Sequence, residues 1–548
     1  MDKSFLRLIE TSIKSNWDLD ALTDYKGATL QYKDVARKIE KIHLMFEAVG
    51  IKKGDKIALC GRNSSHWGVT FLATLTYGAV IVPILHEFKA DNIHSIVNHS
   101  GARFLFVGDR VWENLNEEMM PQLEGIILVN DFSILVSRSE RLTYAREHLN
   151  EEFGKKYPKN FRPEHVHYHQ DETEELAVLS YTSGTTSQSK GVMLPYRSLW
   201  SNVQFAIDML PIKSGDKLVS MLPMAHCFGL AFEFLYEFCV GCHIYFLTRV
   251  PSPKIIFQAF SEIKPNLVVT VPLVVEKIIK KEVMPKLETP SVKLLLNLPL
   301  INDKVYGAIR QKVEDAFGGR FHSVIIGGAA LNKDVEHFLK RINFRYMVGY
   351  GMTECGPLIS YEQWDRFKEG SCGKIIDRME VRIDSSNPLY TPGEIQVRGD
   401  NVMLGYYRNE TATKAAFTED GWLRTGDLAT IDANGNITIL GRSKNMLLSA
   451  NGQNIFPEEI EAELNNLPYV AESIIVQRDG KLAALVYPDF DQAYRDGKSD
   501  SDINKQMEQN RIDLNARIPA YCQVNSVTIY HEEFEKTPKK SIKRNLYQ

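Results

Sequence analysis

Four short segments carry residue types whose chemistry is directional. The first, Tyr181-Thr-Ser-Gly-Thr-Thr-Ser-Gln-Ser-Lys-Gly191, follows the apolar run Leu176-Ala-Val-Leu-Ser-Tyr181. Its small hydroxyl residues, Thr182, Ser183, Thr185 and Thr186, flank Gly184. Backbone N–H and side-chain O–H groups there can converge on phosphate oxygens, and Lys190 adds a point charge. This is not a Walker loop, because Lys190 precedes Gly191 instead of following a glycine. Composition alone also allows a structural Ser/Thr/Gly loop. The second segment is Tyr350-Gly-Met-Thr-Glu354, after the strand-like Phe344-Arg-Tyr-Met-Val348. Glu354 offers a hard oxygen for Mg²⁺, and Thr353 a hydrogen bond to a phosphate. In the third, Thr425-Gly-Asp427, the carboxylate can accept two hydrogen bonds from ribose hydroxyls, and Gly441-Arg442 follows at a strand end. The fourth, Gly327-Gly328-Ala329, would let a flat base approach the backbone closely.

The elements that must hold these loops alternate. Apolar runs at Leu176–Tyr181, Leu267–Val271 and Ser323–Ile326 read as strands, with helical stretches such as Val305–Phe317 between them. Such alternation predicts an α/β body of layered, mostly parallel sheets. From about residue 393 short strands and turns take over: GEIQVRG, then DANGNITILGR with an Asn434-Gly435 hairpin signal. After Arg442 comes a compact α+β unit. It has a helix opening at Pro457, a hairpin through Ser473–Gln477 and Leu482–Tyr487, and a polar stretch from Asp489 to Asn510 read as a loop leading into a surface helix. The expected division is therefore 1–441 and 442–548.

The 548 residues are 44% hydrophobic and 24% charged, with 65 basic and 69 acidic side chains, a net charge of −4. These values exclude a disordered tail, a collagen-like repeat and a polybasic nucleic-acid binder. Seven cysteines, few and odd in number, fit a reducing, cytoplasmic setting. Trp67–Leu85 is uncharged over 19 residues, the length of a membrane span, but Gly78 and Pro83 divide it. A buried helix feeding a buried strand is the reading preferred. Cys239-Val-Gly-Cys242 lacks the second pair that a zinc site needs, so buried cysteines are expected. His165, His167 and His169 alternate and could line one face of a strand as imidazole ligands.

In this order, the four segments resemble the adenylate-forming superfamily of acyl-CoA synthetases, peptide-synthetase adenylation domains and luciferases. GDNVMLGYYRN (399–409) and LLSANGQNIFPEEIE (447–461) look most like its long-chain fatty acyl-CoA synthetase branch. The resemblance implies ATP-dependent conversion of a fatty acid to acyl-AMP with Mg²⁺, then transfer to CoA. It makes Thr182, Ser183, Gly184, Thr185, Thr186 and Lys190 the phosphate loop, and Gly327, Gly328 and Ala329 the adenine and acyl lining. Tyr350, Thr353 and Glu354 would serve the adenylate and the metal, and Asp427 with Arg442 the ribose. His226 would lie near the acyl carboxylate, Lys444 at the hinge of a mobile C-terminal lid, and Asn451 and Gly452 at the pantetheine tunnel. Fatty acids partition into membranes, so peripheral membrane contact is a further expectation, although no amphipathic helix argues for it.

Three departures stand out. Ser187 and Ser189 replace the usual Gly and Pro of the phosphate loop, and Tyr196 stands where a histidine is usual. The family's C-terminal Lys-Thr-x-x-Gly-Lys pattern becomes Lys536-Thr-Pro-Lys-Lys-Ser541, with Ser541 on the catalytic lysine. A hydroxyl cannot supply that charge, so Lys540, or Lys539, is expected to reach in by a shift of the loop. Two alternatives stay open: a ligase that passes its acyl-adenylate to a carrier-protein thiol, and a nucleotide-binding protein with impaired turnover.

Overall fold

In the computed structural model the described residues are 3–182, 189–249, 252–287, 289, 302–449, 453–478, 480–537 and 541–547. The largest sheet has eight strands. Its middle five, Leu176–Thr182, Val80–Ile84, Lys56–Cys60, Phe104–Val107 and Gly125–Leu128, are parallel neighbours in that order. Antiparallel strands finish both edges: Lys190–Pro195 and Gly405–Tyr406 at one, Ile134–Ser137 at the other. A second, wholly parallel sheet joins Val268–Thr270, Val324–Ile326 and Tyr346–Val348. These are the expected layered sheets. The short antiparallel texture also follows, as Met379–Asp384, Gly393–Gly399, Leu423–Ile431 and Ile437–Arg442.

Trp67–Leu85 is a buried helix, Ser65–Tyr77, feeding a buried strand, Val80–Ile84. Gly78 ends the helix at φ 86°, a conformation that costs glycine no steric penalty. No helix among the described residues is long and apolar enough to cross a membrane. Tyr196 also finds its reason: its buried phenol donates to the Leu75 carbonyl at 3.0 Å, which ties helix Tyr196–Met209 to helix Ser65–Tyr77.

One apolar core runs from Phe5 to Ile437, and a second occupies Ile455–Val524. The C-terminal sheet is apolar on both faces. Ile475, Leu482, Ala484 and Val486 join the second core, while Ile474, Val476, Ala483 and Leu485 pack with Phe534 on the other side. Period-two alternation assigns the two faces. Helices cover one, and the chain's last segment, through Tyr530, Ile542 and Tyr547, covers the other.

One expectation needs correction. The polar stretch 489–510 is largely helical: Phe490–Arg495 is followed by Asp500–Asn515, which a Ser499–Asp502 capping box starts. His165 ends a 3₁₀ turn rather than sitting in a strand, and His169 Nε2 lies 3.0 Å from Glu175. Among the described residues no group of three His, Cys, Asp or Glu side chains could hold a metal. All seven cysteines are free, Cys242 buried and Cys239 half-buried.

Candidate functional site

The site grows from the sheet edge. Leu176–Thr182 and Lys190–Pro195 pair antiparallel with Thr182 opposite Lys190, so the Ser/Thr/Gly segment connects two anchored strands. Ser183, Gly184, Thr185 and Thr186 lie outside the described residues. Gly405–Tyr406 extends the edge, with Tyr406 opposite Val192. Lys190 Nζ consequently stands 4.8 Å from the centroid of the Tyr406 ring. On its other side, Tyr406 Oη donates to Glu354 Oε1 at 2.8 Å.

Glu354 and Thr353 belong to a 3₁₀ turn, Thr353–Cys355, just after the two-residue strand Tyr350–Gly351. That strand aims Tyr350 at the antiparallel sheet, where its hydroxyl donates to Asp427 Oδ2 at 2.6 Å. Arg442 is Asp427's register partner across the strand pair, and its Nε sits 2.8 Å from Oδ1. Burial pushes the Asp427 carboxyl up, opposed by Arg442 and the Tyr350 hydroxyl. Burial, then Asp427, pushes the Tyr350 phenol well up, so it stays a donor. Arg442 is 61% exposed at its side chain and Asp427 only 7%, so the guanidinium faces the opening while the carboxylate is held below it. Lys190–Tyr406–Glu354 and Tyr350–Asp427–Arg442 thus form two short relays joined through the 350–354 segment.

Between the relays and the second sheet lies an apolar cavity. Tyr350, Thr353, Gly327, Gly328 and His226 line it, together with Phe205, Leu210, Phe228, Phe232, Ile325 and Tyr361. Gly327 allows the ring of Phe228 to lie against the backbone, since a Cβ there would come within 2.9 Å of Cζ. Gly328 adopts φ 87°, the left-handed region. His226 caps helix Cys227–Leu230, its Nδ1 accepting from the Phe228 N–H at 3.3 Å. With Nδ1 as acceptor, a neutral imidazole there carries its proton on Nε2. Phe232 enters from a π-helical turn, Ala231–Leu235.

Not every expected residue converges. Ala329 is exposed and is not part of the cavity lining. Lys444 stands in an exposed turn closed by the N–H groups of Asn445 and Met446 on the Arg442 carbonyl. Asn451, Gly452, Lys539 and Lys540 lie outside the described residues. Thr537 N–H donates to the Ser541 carbonyl at 2.8 Å, and Lys536 pairs antiparallel with Ile542. Tyr406 is the contributor that sequence reasoning passed over; its only signal was a place in GDNVMLGYYRN.

For Mg²⁺, the chemistry of the donor set decides the fit. Glu354 is a single carboxylate with one oxygen engaged by Tyr406. One carboxylate completed by water and nucleotide phosphates is how Mg²⁺ commonly binds, so the residues fit a metal that arrives with ATP better than a dedicated cage.

The AMP-binding enzyme family matches residues 9–407, and the C-terminal domain of AMP-binding enzymes matches residues 444–548. The chain belongs to this family. Among relatives, a long-chain-fatty-acid–CoA ligase of Mycobacterium bovis is 26% identical over 469 residues, 81% of this chain and 74% of the relative. A probable 4-coumarate–CoA ligase of Dictyostelium discoideum is 27% identical over 455 residues, 81% of this chain and 77% of the relative. ATP-bound MatB from Rhodopseudomonas palustris superposes with a TM-score of 0.78 at 21% identity, over 100% of this chain and 98% of that one. O-succinylbenzoate coenzyme A synthetase from Bacillus subtilis, crystallised with ATP and magnesium, gives 0.74 at 19% identity, over 98% of each. The fold is that of the adenylate-forming enzymes.

Proposed function

We propose that this AMP-binding family member joins an apolar carboxylic acid of the fatty-acid type to CoA through an acyl-adenylate. The observation that carries the substrate class is the cavity lining: among the described residues His226 is its only ionisable group besides tyrosine phenols, and aromatic and aliphatic side chains make the walls. A second carboxylate would find no fixed cation there, which disfavours dicarboxylic acids.

In the first step a carboxylate oxygen attacks the α-phosphorus of ATP, the bond to the β-phosphate oxygen breaks, and pyrophosphate leaves. His226 Nε2–H would hold the acid's carboxylate at the cavity mouth. Asp427, with Arg442 and Tyr350 fixing it, would accept from the ribose hydroxyls. Gly327 and Gly328 would lie against the base. Lys190 and the N–H groups of its loop would offset the charge built up as two anions approach. Mg²⁺ held by Glu354 and the phosphates would supply Lewis-acid charge to the same oxygens. In the second step the CoA thiolate attacks the acyl carbon, a C–S bond forms, and the C–O bond to AMP breaks. Lys536, Lys543 and Arg544 are engaged with Glu472, Glu535 and Glu461 within the C-terminal unit, which leaves Lys540, or Lys539 beside it, to supply the cation of the first step.

The test is mass-spectrometric product analysis with Mg-ATP and acids from acetate to palmitate, plus malonate, with and without CoA. Acyl-CoA and AMP from apolar acids alone are expected. Turnover of malonate in preference to them would overturn the substrate reading. Acyl-AMP that persists with CoA present would point to a carrier-protein thiol. Lys540→Ala should slow pyrophosphate release roughly 100-fold, the scale of losing one transition-state charge contact; an unchanged rate would remove Lys540 from the chemistry.

A further inference from the structure

At the other end of the eight-stranded sheet lies a pocket that the chemistry above does not use. It holds about 400 Å³ and opens between helix Tyr32–Val49, helices Glu140–Glu147 and Leu149–Lys156, and the turn that links Gly125–Leu128 to Ile134–Ser137. Six strand spacings separate that edge from Lys190–Pro195, roughly 29 Å at about 4.8 Å each.

Four cations line it: Arg37, Lys38, Lys41 and Arg146. Two carboxylates, Asp34 and Asp131, also border it, and both already serve the fold. Asp34 accepts from the Gln31 N–H at 3.1 Å and from Arg37 at 3.2 Å; Asp131 accepts from the Ser133 N–H at 2.9 Å. The lining therefore carries two more positive than negative groups in a chain whose net charge is −4. Among the described residues Lys38 and Lys41 have no ion-pair partner; Lys41 donates to Asn150 at 2.7 Å, and Lys38 lies 5.8 Å from the Phe132 ring centroid. Burial, then the neighbouring cations, holds both ammonium groups below the usual lysine range. Like charge therefore adds to burial at both lysines, and only at Lys38 does a carboxylate, Asp34, oppose it.

The rest of the lining is apolar: Leu30, Ile42, Met45, Phe132 and Leu149. Phe132 reaches the pocket from a left-handed backbone at φ 62°, unusual for a bulky residue, and its carbonyl accepts from Arg146 Nε at 2.8 Å. On helix Tyr32–Val49 the contributing positions, 34, 37, 38, 41, 42 and 45, form one helical face.

We propose that this pocket is a second binding site, for an amphiphile with a phosphate headgroup. The headgroup is held among Lys38, Lys41, Arg37 and Arg146, and the apolar body lies on Phe132 and its neighbours. The two surplus positive charges match a phosphate monoester dianion, and guanidinium groups grip such a group by two hydrogen bonds at once. The ligand can be a soluble phosphate ester or a lipid headgroup in a bilayer.

Titration calorimetry of the full chain with monomeric dihexanoyl phosphatidic acid tests the first source, and cosedimentation with phosphatidylcholine vesicles with and without phosphatidic acid tests the second. Binding in either arm should weaken at least tenfold in K38Q/K41Q and survive in K38R/K41R. Monomer binding alone identifies a soluble ester, and vesicle binding alone a bilayer headgroup. No binding in either arm overturns the site, as does equal binding by wild type and K38Q/K41Q. Circular dichroism establishes that both variants are folded, and Arg146→Gln repeats the test on another helix.

Discussion

Tyr406 holds two of the site's charged groups at once, which makes it the most informative single residue. Its hydroxyl fixes Glu354 and its ring lies 4.8 Å from the Lys190 ammonium, a distance at which cation–π attraction is felt. Tyr406→Phe keeps the ring and removes the donor. Adenylation kcat should fall about tenfold, the scale of one hydrogen bond to a charged group, while the KM for the acid is unchanged. A matched loss in both would make Tyr406 merely structural. Asp427→Asn should raise the KM for ATP by roughly 10- to 100-fold, the worth of charge-assisted hydrogen bonds. Because burial raises the Asp427 pKa, wild-type affinity for ATP should weaken on acidification at a higher pH than an ordinary carboxylate would dictate, and Asp427→Asn should flatten that limb. Equilibrium dialysis with AMP across pH reads it. Asp427, Arg442 and Tyr350 were legible because each stands beside a glycine, where a charged or hydroxyl residue has little to do for packing, and Glu354 because it closes the same short segment as Tyr350. Tyr406 was not, because an aromatic residue in an apolar stretch reads as core until its hydroxyl's partner is known.

At the scale of elements, punctuation was legible and polar helices were not. Gly78 divided Trp67–Leu85 correctly because a chain-breaking residue acts locally, whereas Pro83 breaks nothing and lies within strand Val80–Ile84. Helix Asp500–Asn515 escaped because its outward faces are acidic and amide-rich; only the Ser499–Asp502 spacing gave it away. The π-helical turn Ala231–Leu235, which brings Phe232 to the cavity, had no sequence signature. Just beyond it, Glu237 is fully buried, has both oxygens unpaired, and is pushed up to about 8 by burial. Tyr32, Tyr236, Cys239, Cys242 and Glu233 feel its charge, and none is a cation. The folded state thus holds a proton that the unfolded chain releases near 4.5. Its contribution is full below that value and is lost as pH rises towards 8, at up to about 1.4 kcal/mol per unit. Thermal melts from pH 5.5 to 8 should show this decline, and Glu237→Gln should flatten it and raise the melting temperature at pH 8. A variant with the wild-type slope would mean that another group carries the dependence.

The whole molecule is two cores joined by one turn, and the join is polar. Lys280 Nζ donates to Asn466 at 2.9 Å, Asn332 also contacts Asn466, and Lys333 lies 3.4 Å from Glu463. Such contacts can exchange with water, the character of an interface across which units can shift. Two transition states with different partners, pyrophosphate and then a thiol, are poorly served by one fixed cleft, so we expect the C-terminal unit to turn about Lys444 between steps. Half-buried Arg544, paired with Glu461, ties residues 541–547 to helix Pro457–Leu464, so the two would travel together. In the 443–446 turn the backbone hydrogen bonds come from Ser443, Asn445 and Met446, so a proline at 444 removes none of them but locks φ there and restricts Ser443. Lys444→Pro should therefore leave pyrophosphate release within a few-fold of wild type while cutting acyl-CoA formation roughly 100-fold, as expected when a gating motion rather than bonding is blocked. Single-turnover assays of each step separate the two. Equal loss in both would mean that residue 444 supports the cleft itself, and no loss in either would move the pivot elsewhere in the chain.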